Sequence, residues 1–149
     1  MKKILFLLLI MPIFFGCILS DKGHNSILIV NNSENDIYVV RGNDYPDTIF
    51  HHRWVGISYN EYQTKVKANS SSDGPLCLYW NIWEAEFAYK TIIPSDTLMV
   101  FVLNVDSIDL WENKKLSPPK KQNPNDAVLK RYDLSLNDLK KMNWTITYP

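Results

Sequence analysis

An unbroken apolar run at residues 97–103 most constrains the fold of this 149-residue chain. Seven residues are few for a helix, and the β-branched and aromatic members of the run favour a strand. Because no polar residue alternates with the apolar ones, we predict that both faces of this strand are buried in the core.

Other segments predict further strands. Residues 26–30 and 36–40 flank the turn-forming residues 31–35, a pattern that predicts a hairpin. Residues 61–67 alternate apolar and polar side chains, as a half-buried strand does. We also expect strands at residues 48–53, 76–83 and 144–148. Residues 84–89 either continue the strand at 76–83 or turn back.

One helix is expected, near the C-terminus. Ser135 is a suitable N-cap, and Asp138 follows three residues later, as in a capping box. Asn143 is a plausible stop signal. The apolar face of this helix consists of Leu136, Leu139 and Met142.

The count of about seven to nine strands and one helix predicts an all-β fold, specifically an antiparallel β-sandwich with Ig-like or transthyretin-like layering. A small barrel is the alternative that the same count allows. An aromatic content of 13% and only five glycines agree with a strand-rich fold.

The first 16 residues have the composition of an export signal. Lys2 and Lys3 precede an apolar run of 12 residues, 4–15, which Pro12 interrupts, and Gly16 ends the segment. The run is shorter than the ~20 residues that a membrane-spanning helix needs. We therefore expect residues 1–16 to be a cleaved signal peptide.

The segment Ile13-Phe14-Phe15-Gly16-Cys17 resembles the lipobox of bacterial lipoproteins, although Phe14 and Phe15 depart from its commonest residues. The resemblance implies that Cys17 is acylated and becomes the first residue of the mature protein. Several acyl chains would hold the protein firmly on a membrane. Ile18 stands where an inner-membrane retention signal would have aspartate, so the outer membrane of a Gram-negative bacterium is the expected location, in either leaflet.

The mature chain has the size of one domain. Residues 17–149 number 133, of which 17–25 are expected to be a lipidated tether and 26–149 a single domain. Removing Lys2 and Lys3 from the 16 basic residues leaves 14 against 16 acidic ones, a formal charge of −2. The absence of a basic stripe argues against a nucleic-acid partner.

The C-terminal segment 128–149 and the residues Ser95-Asp96-Thr97-Leu98 are similar to a group of small lipoproteins of unknown activity from Gram-negative Bacteroidetes bacteria. On sequence, the similarity extends over most of the mature chain. It implies an envelope location and the general build, but it carries no site residue.

Three Asp-Ser/Thr-aliphatic segments resemble the O-glycosylation acceptor of exported proteins in the same bacterial phylum. The alternative is that these residues simply open strands. The candidate acceptors are Thr48, Thr97 and Ser107.

Tryptophans provide the candidate binding surface. Trp54, Trp80 and Trp83 could form a flat platform on which sugar rings stack, whereas the more ordinary role of tryptophan is to fill a core. Since Trp80 and Trp83 are three apart on a predicted strand, we expect one to point inward and the other outward.

The chemistry-bearing residues predict no catalytic or metal site. His51 and His52 would point to opposite faces of a strand, and His24 lies in the expected tether, where solvent would surround it. Cys77 lies between two leucines and is expected to be a buried structural cysteine without a disulfide partner. We therefore expect a non-enzymatic binding or structural protein without a cofactor, with a carbohydrate-binding module or an unrecognised enzyme as alternatives.

Overall fold

The computed structural model describes residues 23–42, 45–46, 65–113 and 124–149. Its strands are β1 Leu28–Asn31, β2 Ile37–Gly42, β3 Lys65–Val66, β4 Ser70–Ser72, β5 Leu98–Asn104, β6 Val128–Leu134 and β7 Thr145–Tyr148. Its α-helices are α1 Trp83–Tyr89, α2 Val105–Asn113 and α3 Leu136–Lys141, and the 3-10 helices are Gly74–Leu76 and Pro124–Ala127. The predicted strand at 48–53 and the first residues of that at 61–67 lie outside the described residues.

The seven described strands form two sheets. One has the order β4-β1-β7, with β1 antiparallel to β4 and parallel to β7. The other has the order β3-β2-β5-β6 and is antiparallel throughout. The described part of the chain is therefore mainly β, which confirms the coarse fold class.

The predicted hairpin of the first two strands is wrong, because β1 and β2 belong to different sheets. The buried Asn31 redirects the chain between them: its Nδ2 donates to the carbonyls of Asn35 at 2.8 Å and Lys67 at 3.0 Å. Its Oδ1 accepts from the backbone N–H of Ser33 at 3.0 Å. These bonds turn the chain toward the second sheet instead of folding β2 back onto β1.

Strand β5 is buried on both faces, as its apolar sequence predicts. Leu98, Val100 and Val102 enter the main core, which also contains residues of the three-stranded sheet such as Ile29. The alternate residues pack in a second cluster with Val105 and Ile108 of α2; they are Met99, Phe101 and Leu103. One sheet face therefore meets the main core and the other is covered by a helix.

The C-terminal predictions are confirmed. Ser135 caps α3: its Oγ accepts from the backbone N–H of Asp138 at 3.2 Å, and the Asp138 carboxylate accepts from the Ser135 N–H at 3.0 Å. The helix ends beside Asn143, which has a φ of 49°. Strand β7 follows at Thr145–Tyr148.

The predicted strand at 76–83, with its possible continuation to 89, is wrong. Residues 74–76 form a 3-10 helix, and Trp83–Tyr89 form α1. Trp83, Glu86 and Phe87 are buried at a helical spacing. The apolar side chains at 76–82 obscured this period in the sequence.

Strand β6 and helix α2 were not predicted. Strand β6 forms an edge of the four-stranded sheet, where charged residues discourage pairing with other chains. Its charges, including an Arg131–Asp133 ion pair at 2.7 Å, conceal the strand pattern. At the start of α2, the side chain of Asn104 accepts from the Ser107 N–H at 2.9 Å, which is a cap of the usual kind.

Candidate functional site

A loop at residues 79–82, here called the aromatic loop, exposes large apolar side chains to solvent. Trp80 is 99% exposed and Tyr79 is 69% exposed, while Ile82 is partly exposed. The loop lies between two buried residues, Leu78 and Trp83. The chain therefore displays large apolar side chains to solvent between two points fixed in the core.

Backbone hydrogen bonds to the N-terminal segment hold both ends of the aromatic loop. The N–H of Leu78 donates to the carbonyl of Asn25 at 2.7 Å, and the N–H of Trp83 donates to that of His24 at 2.7 Å. The indole Nε1 of Trp83 also donates to the Leu76 carbonyl at 3.1 Å. These contacts limit the conformations of the loop.

The buried carboxylate of Glu86 fixes the loop from inside the protein. It accepts hydrogen bonds from the side-chain amide of Asn81 and from the N–H of Ile92, the latter at 3.2 Å. The Asn81 Oδ1 in turn accepts from the Ile82 N–H at 2.9 Å. Glu86 thus positions the aromatic loop, and its polar atoms are used by these contacts.

His24 forms a small cluster beside the aromatic loop. Its backbone N–H donates to Oε2 of Glu84 at 2.9 Å, and its Nδ1 lies 2.8 Å from Oε1 of the same carboxylate. The imidazole stacks on the ring of Trp144, with centroids 4.2 Å apart and planes at 13°. His24 and Asn25, which we assigned to the tether, therefore contact the domain, and His24 is not simply surrounded by solvent.

The environment of Glu84 changes its acidity. Burial alone would raise the pKa of this carboxyl, but the hydrogen bonds from the side chain and backbone of His24, and from the Glu84 backbone, outweigh it and lower the pKa below its ordinary value of 4.5. The carboxylate is therefore ionised at neutral pH and suited to hold His24. The sequence gives no sign of this pair, because the residues are 60 positions apart.

The tryptophans divide between core and surface. Trp83 is 0% exposed and Trp144 is also buried, so the ring of Trp83 fills the core and cannot be part of the candidate sugar-binding platform. Trp80 points outward, but it lies in a loop and not in a strand. Trp54 lies outside the described residues.

Three of the other candidate residues lie in the part of the chain that the structure describes. Thr97 is half-buried just before β5, and Ser107 is half-buried in the first turn of α2. Cys77 is a free thiol that is half-buried, and not fully buried as expected. Cys17, Thr48, His51 and His52 lie outside the described residues.

The described residues contain neither a candidate metal site nor a membrane-spanning helix. No group of three or more His, Cys, Asp or Glu side chains there could hold a metal ion. No described helix combines the length and the apolar character that crossing a bilayer requires.

No protein-family model, curated protein or solved structure matches this chain. The similarity of residues 128–149 to Bacteroidetes lipoproteins therefore stays a prediction.

Proposed function

We propose that this chain is a lipid-anchored protein of the bacterial cell envelope, whose domain binds a partner or supports the envelope without catalysing a reaction. The observation that carries the proposal is the signal-like segment 1–16 that ends in the Gly16-Cys17 pair. His24 is hydrogen-bonded to the domain only seven residues after Cys17. A lipid on Cys17 would therefore keep the domain beside the membrane surface.

The outer membrane is the proposed location. The signal-like residues 1–16, the Gly16-Cys17 pair and the absence of aspartate after Cys17 support it. The similarity to Bacteroidetes lipoproteins agrees with this location and leaves the leaflet open.

We propose a β-sandwich as the arrangement of the two sheets. Ile29 and Ile146 of one sheet share a hydrophobic core with Val39 and Val100 of the other, which supports face-to-face packing. The parallel pair of β1 and β7 departs from the purely antiparallel sandwich that the sequence predicts.

Carbohydrate binding is the alternative function, and the exposure of Trp80 favours it. An indole ring that is 99% exposed is available for stacking on a sugar ring. The burial of Trp83 removes one of the three proposed platform residues, so the alternative retains a single described tryptophan.

We also retain O-glycosylation at Thr48, Thr97 or Ser107 as a proposal. The export signal supports it, and the half-buried positions of Thr97 and Ser107 mean that attachment of a glycan would require local adjustment of the surface.

Metabolic labelling tests the anchor. Cells fed an alkyne fatty acid would express the wild type, Cys17→Ala and Cys77→Ser, the last as a matched control that removes the other cysteine. We expect label on the wild type and on Cys77→Ser, and none on Cys17→Ala. Protease treatment of intact cells then reports whether the domain faces outward.

An unlabelled wild type would contradict the lipid anchor. A disulfide between Cys17 and Cys77 would then be possible, and loss of free thiol in the exported protein would reveal it.

A further inference from the structure

We propose that the aromatic loop, residues 79–82, is a second membrane contact that inserts into the interface of the bilayer holding the Cys17 lipid. The inference rests on the proposed lipid anchor and extends it, because it states which surface of the domain faces the membrane. The partner of this surface is therefore the headgroup region of a phospholipid bilayer.

The aromatic loop lies directly beside the point where the N-terminal segment reaches the domain. A Cβ built on Gly23 would collide with the end of the Ile82 side chain and would lie 3.2 Å from the Ile82 Cβ and 3.0 Å from Oε2 of Glu84. Glycine at this position thus permits a close approach of the chain to the loop. Chain leaving the domain toward Cys17 starts next to Ile82.

The length of chain between Cys17 and Gly23 keeps this surface near the bilayer. Six residue steps span at most about 22 Å, whatever conformation they adopt. A compact domain of this size is expected to have a diameter of roughly 35 Å. Because the reach of residues 17–23 is shorter than the diameter of the domain, the surface around Gly23 stays close to the lipid, while the opposite surface does not.

The side chains of the loop have the chemistry that membrane interfaces favour. Tryptophan and tyrosine combine an apolar ring with a polar group, and they concentrate at the level of the lipid headgroups. Trp80 and Tyr79 are the two most exposed large side chains of the loop, and Ile82 adds aliphatic surface. The loop carries no charged residue of its own that would have to be dehydrated.

The contacts at its two ends lower the cost of insertion. Leu78 and Trp83 are buried and hydrogen-bonded to residues 24–25, and Asn81 is held by Glu86. Because these contacts already order the loop, binding to a bilayer sacrifices little conformational freedom.

Quenching by brominated lipid tests the contact. The full-length lipidated protein would be reconstituted into phosphatidylcholine vesicles with and without bromine on the acyl chains near the headgroup. The fluorescence of the wild type minus that of Trp80→Phe isolates Trp80. We expect brominated lipid to remove most of this difference signal.

A matched control moves the exposed indole from the loop to an edge strand. Leu129 is 44% exposed on the edge strand β6, so Leu129→Trp in the Trp80→Phe background places an indole at a second exposed position. We expect this indole to keep its emission in brominated vesicles. Equal quenching at both positions would overturn the inference, because it would mean that the domain has no preferred orientation.

Flotation of the vesicles separates the possible failures. If neither the wild type nor Cys17→Ala floats with the vesicles, the proposed lipid anchor is wrong. The proposed membrane contact, which depends on that anchor, is then overturned as well. If the wild type floats but Trp80 keeps its emission, the contact alone is overturned. Protection of that unquenched Trp80 from acrylamide by added malto- or cello-oligosaccharides would assign the loop to carbohydrate binding instead.

Discussion

Asn31 shows how one buried side chain determines the path of the chain between the two sheets. Its amide donates to two backbone carbonyls within 3.0 Å, and its oxygen accepts from both the N–H and the hydroxyl of Ser33. We expect Asn31→Ala to lower the free energy of unfolding by about 2–3 kcal/mol, because it leaves buried polar groups without partners.

Urea denaturation measures this cost. Ser33→Ala removes only the hydrogen bonds of the hydroxyl, to Asn31 Oδ1 and to the Asn35 carbonyl, and leaves the Asn31 amide in place. It is expected to cost about 1 kcal/mol, which makes it a suitable control. An Asn31→Ala variant no less stable than Ser33→Ala would show that the amide network contributes little.

Glu84 predicts a pH dependence of stability. Its pKa in the folded protein is below 4.5, so the folded state binds a proton less readily than the unfolded chain. The stabilising contribution of the ionised carboxylate is therefore present above pH 4.5 and is lost as pH falls through the folded pKa. We expect the stability difference between the wild type and Glu84→Gln to shrink between neutral pH and about pH 3.

Denaturation at the two pH values measures the difference. A gap between the wild type and Glu84→Gln that stays constant with pH would contradict the inferred pKa shift.

Contacts between side chains were predictable where the two residues are close in sequence. The Ser135–Asp138 capping box could be identified because its two residues are three positions apart. The cluster of His24, Glu84 and Trp144 could not, since only the folded chain brings these residues together.

Among the elements, α3 provides a direct test of capping. Ser135→Ala removes the oxygen that accepts from the Asp138 N–H, and we expect a loss of about 1 kcal/mol in the free energy of unfolding. Asn137→Ala, at an exposed position in the same turn, is the control and should change stability little. Equal effects of the two substitutions would contradict the capping role.

Helix α1 and the preceding loop give two tryptophans with opposite roles. We expect Trp83→Ala to cost about 3–5 kcal/mol, because it empties the core. Trp80→Ala should change stability by less than about 0.5 kcal/mol, since its ring is in solvent. Thermal unfolding of both variants measures the contrast, and a large loss for Trp80→Ala would show that the loop is structural.

The predictability of an element depended on how consistent its pattern was. Strand β5 has one uninterrupted apolar sequence, and its burial on both faces followed from it. Strand β6 carries charges because it is an edge, and α1 follows aromatic residues that favour strands, so composition concealed both. The pattern of apolar side chains therefore predicts which residues are buried more reliably than it predicts which strands pair.

At the scale of the whole molecule, the two ends of the domain meet. Strand β1, near the N-terminus, pairs in parallel with β7, near the C-terminus, and Trp144 between α3 and β7 stacks on His24. Such distant pairing leaves no local signal, which is why the sequence predicted a hairpin instead. It also places the first described residues against a folded domain, beside the aromatic loop.

The identity and modification of the mature N-terminus test the central claim most directly. Mass spectrometry of protein purified from the membrane fraction would determine both, and it would report any glycan on Thr48, Thr97 or Ser107. We predict a mature chain that begins at Cys17 and carries the mass of acyl chains on that residue. A chain that begins at another residue, or an unmodified Cys17, would contradict the lipid-anchored account.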